Sequence, residues 1–435
     1  MSSIQLAFLC LSGMIVLMAL RVPIAVALGV TSFAGIWALR GLDTALKLSG
    51  STPFEFAASW NLSAIPMFLL MGSIAYRCGL TTSLFDAARL WLSRLPGGLA
   101  VAANFAAALF AAASGSSVAT AAAMGRLAIP EMLRYRYDPA LATATVAAAG
   151  TLGSMIPPSI GFVIFGWYTE TPIGKLLMAG VLPGLMNAVL FAVFIIGWCT
   201  LKPQAAPPPD YHPSLREKLT ILLEVWPVPA LILCVMGGIY SGLTTATEAA
   251  AFGAFSALVI ALLRGGVTWP TFRDSIVDSL QSAASIFLIA VSAVLLTRFL
   301  AIAGLPQFMG GLVKTMDLGP YGVIAFMVVI YLILGAFLDP IGIMLITLPI
   351  LLPMWKAVGL DLIWMGVLVV MLLEIGLLTP PVGLNAFVIK TVVGDRVSLT
   401  TIFRGLIGFI VVDLIVVVLL VAFPQISLYL PSLLE

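Results

Sequence analysis

Long apolar segments follow one another along nearly the whole chain, and they constrain its fold more than any other feature. The segment 402–424, for example, holds only Arg404 and Asp413 as charged residues. A transmembrane helix needs about 20 mostly apolar residues. Of the 435 residues, 61% are hydrophobic and 9% are charged, which leaves too few charges to cover the surface of a soluble protein. The sequence therefore predicts an all-α polytopic membrane protein in a lipid bilayer.

Composition also excludes several classes of function. The formal net charge is +2, and no basic patch indicates nucleic acid as a partner. The four cysteines stand singly in apolar stretches, which favours neither a disulfide framework nor a zinc or other transition-metal site. The N-terminal segment to Leu20 lacks a basic start and a small-residue cleavage site, so we expect a first membrane helix rather than a removed signal peptide.

Apolar runs between charges, Pro and Gly predict the helices. Eight conventional spans are predicted, at 4–20, 23–39, 62–79, 175–200, 220–241, 247–263, 279–302 and 402–424. Two regions, 97–133 and 319–357, each hold two short apolar halves around a break and predict re-entrant hairpins. Two more, 139–168 and 361–391, are broken halfway by a Pro pair and predict discontinuous transmembrane helices.

An internal repeat relates the two halves of the chain. An offset of 223 residues carries Gly153 through Pro158 onto Gly376 through Pro381, and also Ser116 onto Asp339. We therefore predict a first repeat at 1–201, a cytoplasmic Pro-rich linker at 202–219 and a second repeat at 220–435.

The distribution of Lys and Arg predicts the orientation. With ten crossings and two re-entrant hairpins, six of the 21 Lys and Arg residues fall on one face: Arg40, Lys47, Lys175, Arg298, Lys314 and Lys356. The other 15 lie on the opposite face, which the positive-inside rule makes cytoplasmic, with both termini outside. Five crossings separate the hairpins, so the hairpins enter from opposite faces and the repeats are inverted.

Inverted repeats with broken helices favour a binding site at the bilayer midplane, where half-helix ends and unwound carbonyls meet anions and Na⁺ or H⁺. Unwound backbone is costly in a membrane unless it lines a cavity. The breaks supply hydroxyls, carbonyls and one carboxylate: Ser114, Ser116, Ser117, Gly150 and Thr151 in the first half, and Asp339, Thr379, Gly383 and Asn385 in the second. The alternative is close helix packing by small residues, which is the better account of the alanine-rich segment 102–123.

Three acidic residues in apolar surroundings need separate interpretation. Asp339 favours a cation site, although Asp before Pro340 is also typical of a helix N-cap; the two roles are compatible. Glu374 lies just before a broken segment and either joins the site or hydrogen-bonds to unwound backbone. Glu248 is either functional or merely near the start of a helix.

Enzyme functions receive little support. His212 is the single histidine, so a zinc-binding HExxH pair and a Ser–His dyad are both absent. Tyr137-Asp138 resembles half of an intramembrane aspartyl-protease pair, but the partner candidate at Asp395 has Val392 where that family carries Gly. The sequence has no Walker A motif for binding ATP, so direct use of ATP by this chain is not indicated. Coupling to an ion gradient is the remaining source of energy.

Several separate motifs resemble the large membrane subunit of tripartite ATP-independent periplasmic (TRAP) transporters. These motifs are Ala113 to Thr120, Ile129 to Met132, Gly150 to Ser159, Thr247 to Ala251, Leu338 to Ile341 and Glu374 to Asn385. The resemblance covers nearly the whole chain. It implies the ion-transporter superfamily fold and an elevator-type transporter, in which a transport domain carries substrate against a fixed scaffold.

The resemblance also implies Na⁺ as the coupling ion and no other cofactor. One Na⁺ is expected near Ser116, Ser117, Gly150 and Thr151, and a second near Gly335, Asp339, Thr379 and Gly383. The substrate, an organic acid such as a C4-dicarboxylate or sialic acid, is expected at the same breaks. The candidate contacts are Ser114, Ser116, Pro157, Pro158, Pro380, Pro381 and Asn385.

The family implies two partners and a location. These are a small four-helix membrane subunit, expected as a separate chain, and a periplasmic binding protein, with the complex in the bacterial inner membrane. A standalone ion-coupled anion symporter or antiporter of the same superfamily, and an intramembrane enzyme, are the alternatives.

Overall fold

The computed structural model describes residues 2–80, 82–207 and 214–433, and within these ranges the secondary structure is helical. Seven helices pack among themselves in a group that we call the frame. They are Ser3–Ala19, Ile24–Arg40, Leu42–Ala57, Ala64–Arg77, Pro227–Tyr240, Ala246–Leu263 and Trp269–Ala303. The interior of the frame is apolar, because its helices bury small and branched side chains against one another.

The remaining long helices form a second group, which we call the hairpin group. Hairpin one consists of Gly98–Ser114 and Ser117–Arg134, and hairpin two of Pro320–Gly335 and Pro340–Ala357. Each hairpin is followed by a broken helix and a long helix. Broken helix one comprises Pro139–Gly150, Leu152–Met155 and Ile160–Thr169, broken helix two Leu362–Leu378 and Leu384–Val393, and the long helices are Ile173–Leu201 and Leu399–Ala422.

Short helices lie around these two groups. They are Thr82–Leu92, Leu215–Val225, Leu305–Thr315 and Gln425–Ser432, with 3-10 turns at Trp60–Ser63, Pro203–Ala205 and Gly394–Arg396. In the linker predicted at 202–219, the structure places Pro203–Ala205 and the start of Leu215–Val225. His212 and the prolines at 208, 209 and 213 lie outside the described residues.

Some predicted bounds were wrong. The long frame helix begins at Trp269 rather than 279, because it continues past the apolar stretch through a segment that carries Asp274 and Asp278. The helices Leu42–Ala57 and Thr82–Leu92 were not predicted. Both carry charged residues within an amphipathic pattern, so a search for uninterrupted apolar runs passes over them.

The number of crossings is only partly fixed by helix length. In the described ranges, six helices are long and apolar enough to span a membrane, and two bent helix pairs bring the number to eight. The bent pairs are Leu42–Ala57 with Trp60–Arg77, at 59°, and Leu215–Val225 with Pro227–Tyr240, at 47°. The chain is thus a multi-pass membrane protein, and the arrangement of ten crossings stays a prediction.

Candidate functional site

The tip of hairpin one is a sharp reversal between two helices. Gly115 adopts φ +62°, a left-handed conformation that glycine reaches without a steric penalty, and ends the first helix. Ser116 then caps the second helix in an extended conformation, its side chain accepting from the backbone N–H of Ala119 at 3.4 Å. Ser114, at the end of the first helix, pairs its hydroxyl with that of Thr120 at 2.8 Å. The tip is therefore held by its own polar groups.

Broken helix one lies directly against this tip. A Cβ atom on Gly153 would lie 2.6 Å from the carbonyl oxygen of Ser116, and one on Gly115 would lie 2.7 Å from the carbonyl oxygen of Pro158. A Cβ atom on Gly150 would lie 3.1 Å from the carbonyl oxygen of Ser117. Glycine at these positions lets the backbones of hairpin one and broken helix one approach closely, which places the carbonyl oxygens of Ser116 and Pro158 at the contact.

Hairpin two repeats this arrangement in the second half. Asp339 caps the helix Pro340–Ala357, its Oδ2 accepting from the backbone N–H of Gly342 at 2.9 Å. The N-cap interpretation of Asp339 is thus confirmed. A Cβ atom on Gly376 would lie 2.7 Å from the Cα of Gly335. Ser116 and Asp339, which the 223-residue offset equates, therefore occupy the same place at the start of the second helix of a hairpin.

Glu374 is a buried carboxylic side chain that joins the two halves of the chain. Its Oε2 accepts from the hydroxyl of Ser117 at 2.5 Å, and the Ser117 hydroxyl lies 2.8 Å from that of Ser154. Of the two interpretations of Glu374, a hydrogen bond to unwound backbone is not the one observed, since the carboxylate contacts a side chain of hairpin one. Glu248, by contrast, forms a capping box with Thr245 at a helix start, as the second of its two interpretations predicted.

The two hairpin tips meet at a cavity of about 270 Å³ between the hairpin group and the frame. Its polar lining includes a run of hydroxyls and two carboxylates: Ser116, Ser117, Ser154, Ser282, Asp339 and Glu374. Leu69 and Ile286, together with Ser282, belong to the frame. Neither carboxylate has an ion-pair partner among the described residues. The cavity therefore offers oxygen ligands without a fixed cation to balance them.

The other predicted site residues lie around this cavity rather than on its wall. Thr151 donates to the carbonyl of Ala148 at 2.6 Å, and Thr379 donates to that of Ile375 at 2.7 Å. Gly383 adopts φ +56° at the start of the second half of broken helix two.

Asn385 and the two Pro pairs lie outside the cavity lining as well. Asn385 is buried; its Nδ2 donates to the carbonyl of Ala147 at 3.1 Å, and its Oδ1 has no hydrogen-bond partner. Pro157 and Pro158 are buried, whereas Pro380 and Pro381 are exposed. Gly335 packs against Gly376. The structure thus brings Ser116, Ser117 and Asp339 to one cavity and leaves the proline pairs outside it.

Two polar residues of the cavity lining, Ser154 and Ser282, were not predicted from the sequence. Ser154 lies between the predicted Thr151 and Pro157, where its position in the break was the available signal. Ser282 lies on the frame helix Trp269–Ala303. There Ser275, Ser279 and Ser282 recur at helical spacing, a polar stripe in an otherwise apolar span.

Comparison with known proteins identifies the family. Residues 11–426 match the family model of the tripartite ATP-independent periplasmic transporter, DctM component. The C4-dicarboxylate TRAP transporter large permease protein DctM of Pseudomonas aeruginosa is 37% identical over 87% of this chain and 88% of that protein. The isethionate TRAP transporter permease protein DctMQ of Oleidesulfovibrio alaskensis is 32% identical over 93% of this chain and 63% of that protein.

A solved structure shares the fold. The YdaH transporter of Alcanivorax borkumensis, whose crystal structure is described as revealing an unusual topology, matches with a TM-score of 0.60 at 15% identity. The match covers 90% of this chain and 88% of that one. The family match spans both hairpins and both broken helices, and it shows a transporter rather than an enzyme. The chain therefore belongs to the family of large permease (DctM) components of tripartite ATP-independent periplasmic transporters.

Proposed function

We propose that this permease imports a small organic acid, with a C4-dicarboxylate as the first candidate, by Na⁺ symport through an elevator movement. The observation that carries the proposal is the cavity where both hairpin tips, Glu374 and the frame meet. The dicarboxylate named for the Pseudomonas aeruginosa relative supports the choice of substrate class.

Charge in the cavity supports cation coupling. Asp339 and Glu374 both line it, and neither has a fixed cationic partner among the described residues. Like charges in a low-dielectric site repel strongly. An anionic substrate therefore binds in this cavity more readily when cations or protons enter with it.

The oxygen atoms near the breaks support Na⁺ as that cation. The first proposed site comprises Ser116, Ser117, Gly150 and Thr151, and the buried Oδ1 of Asn385 beside it lacks a hydrogen-bond partner. The Nδ2 of Asn385 and the carbonyl oxygen of Ser117 each lie 3.1 Å from the point where a Gly150 Cβ would stand. The second proposed site comprises Gly335, Asp339, Thr379 and Gly383. Carbonyl, hydroxyl and carboxylate oxygens are the ligands that hard cations prefer.

The division into two helix groups supports an elevator. The cavity lies between the hairpin group and the frame, so a movement of the hairpin group against the frame would carry bound substrate across. In this proposal the face that holds 15 of the 21 Lys and Arg residues is cytoplasmic, and both termini are periplasmic in a bacterial inner membrane. A separate small four-helix subunit would support the frame, and a periplasmic binding protein would deliver the substrate.

The test is uptake of labelled succinate into proteoliposomes that contain this chain and its small partner. Uptake is measured with and without an inward Na⁺ gradient, and each time with and without a candidate binding protein, which gives four conditions. Uptake that requires both supports the tripartite Na⁺ symporter. Uptake with Na⁺ alone identifies the standalone symporter instead, and equal uptake with and without the Na⁺ gradient overturns the Na⁺ assignment.

Variants at the cavity test the site itself. Asp339→Asn keeps the size of the side chain and removes its charge, so we expect a large loss of Na⁺-driven uptake. Asp317→Asn, at an exposed turn between helices, is the matched control. Equal uptake by the two folded variants would contradict a cation role for Asp339.

A further inference from the structure

A second cavity, of about 390 Å³, adjoins the first along hairpin one. The two cavities share four lining residues: Leu69, Ser116, Val118 and Ser282. One wall of the second cavity is the helix Ser117–Arg134, and the facing wall comes from the frame helices Ala64–Arg77 and Trp269–Ala303. The second cavity therefore lies on a path that leads away from the hairpin tip between the two helix groups.

The charges in this second cavity are unevenly paired. Arg77 Nη2 lies 2.5 Å from Asp278 Oδ2, and Arg77 Nη1 lies 3.5 Å from Asp274 Oδ2. Arg126 has a different environment: its Nη1 donates to the hydroxyl of Tyr76 at 3.2 Å. Within the described ranges, no carboxylate forms an ion pair with Arg126. The positive charge of Arg126 on the cavity wall is thus uncompensated, whereas two carboxylates balance that of Arg77.

The position of Arg126 places this charge on the route out of the tip. Arg126 follows Ser116 by ten residues along one helix, which corresponds to about 15 Å at the rise of an α-helix. The hydrogen bond to Tyr76 also crosses from the hairpin group to the frame, so the guanidinium lies at the boundary between the two. A guanidinium presents a planar fork of donors that matches a carboxylate in two-point contact.

We propose that Arg126, with the Tyr76 hydroxyl as a second donor, binds the carboxylate of the substrate on its release path to the cytoplasm. This inference rests on the proposed transport of organic acids and on the proposed orientation. It assigns a second anion site, distinct from the cavity at the hairpin tips. Arg126 has the counter-charge that an anion needs, and the tip cavity, with its two carboxylates, does not.

Transport measured from the cytoplasmic side tests this site. Proteoliposomes with one orientation of the permease would be loaded with succinate, and the KM for efflux would be compared for wild type, Arg126→Gln, Arg126→Lys and Arg134→Gln. We expect Arg126→Gln to raise the efflux KM about tenfold, the loss of one charge-assisted contact. The efflux KM of Arg126→Lys should lie between those of wild type and Arg126→Gln, because an ammonium group keeps the charge but lacks the planar fork of donors. Arg134→Gln lies at the end of the same helix, outside the cavity, and should have the wild-type KM.

A labelling experiment gives a readout that does not depend on turnover. Ala119 is exposed and lines the second cavity, so Ala119→Cys should react with a membrane-impermeant maleimide. Succinate should slow the labelling of Ala119→Cys when Arg126 is present. It should not slow the labelling of the double variant Ala119→Cys, Arg126→Gln. A folded Arg126→Gln protein with wild-type efflux KM and full protection by succinate would overturn the proposal. Absence of succinate transport by wild type would instead overturn the proposed function on which it rests.

Discussion

The hydroxyl of Ser117 connects two parts of the chain that are 257 residues apart in sequence, hairpin one and broken helix two. It donates to the buried Glu374 and lies within hydrogen-bond distance of Ser154. A buried carboxyl group without a donor loses the hydration it had in the unfolded chain and gains nothing in return. Ser117 therefore contributes to stability as well as to the lining of the cavity.

Removing this hydroxyl should be costly. We expect Ser117→Ala to lower the free energy of unfolding by about 1–3 kcal/mol, since the buried Glu374 then loses the short hydrogen bond from Ser117. The midpoint of thermal unfolding in detergent, followed by intrinsic tryptophan fluorescence, would measure this. Ser285→Ala is the control, because Ser285 is exposed and donates only to a carbonyl of its own helix. Equal midpoints for the two variants would refute the role given to Ser117.

A second buried polar pair lies away from the cavity. Asn187 Nδ2 donates to Asp413 Oδ1 at 3.0 Å, both side chains are 0% exposed, and Asp413 Oδ2 has no recorded partner. We expect Asn187→Leu alone to destabilise the protein by about 3 kcal/mol, because it leaves a buried acid without its donor. The double variant with Asp413→Leu should lose less than the sum of the two single variants. Strict additivity in unfolding midpoints would show that the pair is not coupled.

Single residues show both the reach and the limit of prediction from sequence. Sequence offered two compatible roles for Asp339, a cation ligand and a helix cap, and the cap could be anticipated because its signal, Asp before Pro in an apolar run, is local. The partner of Glu374 was not predicted, since the contact with Ser117 depends on how two distant elements pack. Ser282 was missed for the same reason: its place on the cavity wall follows from the approach of the frame to hairpin one.

At the scale of elements, close backbone contacts at glycines hold each hairpin against its broken helix. Gly335 and Gly376 are in direct backbone contact, and Gly153 plays the same part beside Ser116. Such close approach is typical of small residues at helix interfaces in membranes. The elements themselves were predictable, because a polar break or a Pro pair within an apolar run is written in one stretch of sequence. Helices with charged faces, such as Leu42–Ala57, were not, because their amphipathic pattern lacks a long apolar run.

Adding one methyl group at this contact should separate the elements. We expect Gly376→Ala to lower the thermal midpoint by several degrees and to abolish uptake, because its Cβ would lie 2.7 Å from the Cα of Gly335. Gly197→Ala is the matched control: Gly197 is also helical, and a Cβ there would meet nothing within 4 Å. Wild-type uptake by Gly376→Ala would show that the contact is not needed.

At the scale of the whole molecule, the long helices form two groups that share one boundary, and the proposed transport cycle requires the two groups to slide along it. Tyr76 of the frame and Phe110 of hairpin one meet across it, with ring centroids 6.2 Å apart. The orientation of the chain in the membrane can be predicted from sequence, but the division into two helix groups cannot. Charge and hydropathy predict an orientation, but which helices belong to which group depends on packing between distant segments.

Joining the two groups should stop transport. We expect the double variant Tyr76→Cys, Phe110→Cys to lose uptake when a short thiol-reactive cross-linker is added, because the frame and the hairpin group can then no longer move apart. Reduction of a cleavable cross-linker should restore uptake. The two single-cysteine variants, treated in the same way, control for modification alone. Full uptake by a protein shown to be cross-linked would exclude relative movement at this boundary.

The mixed origin of the cavity wall has a consequence for how such permeases diversify. The hairpin tips are held by close glycine contacts and by the side-chain caps Ser116 and Asp339, whereas Leu69, Ser282 and Ile286 come from the frame. In the proposed transport cycle, substitutions of those three side chains would alter the shape of the substrate cavity and leave the proposed cation ligands in place. These three frame positions are therefore the places where a change of substrate could arise, by natural or engineered substitution, with the hairpin tips unchanged.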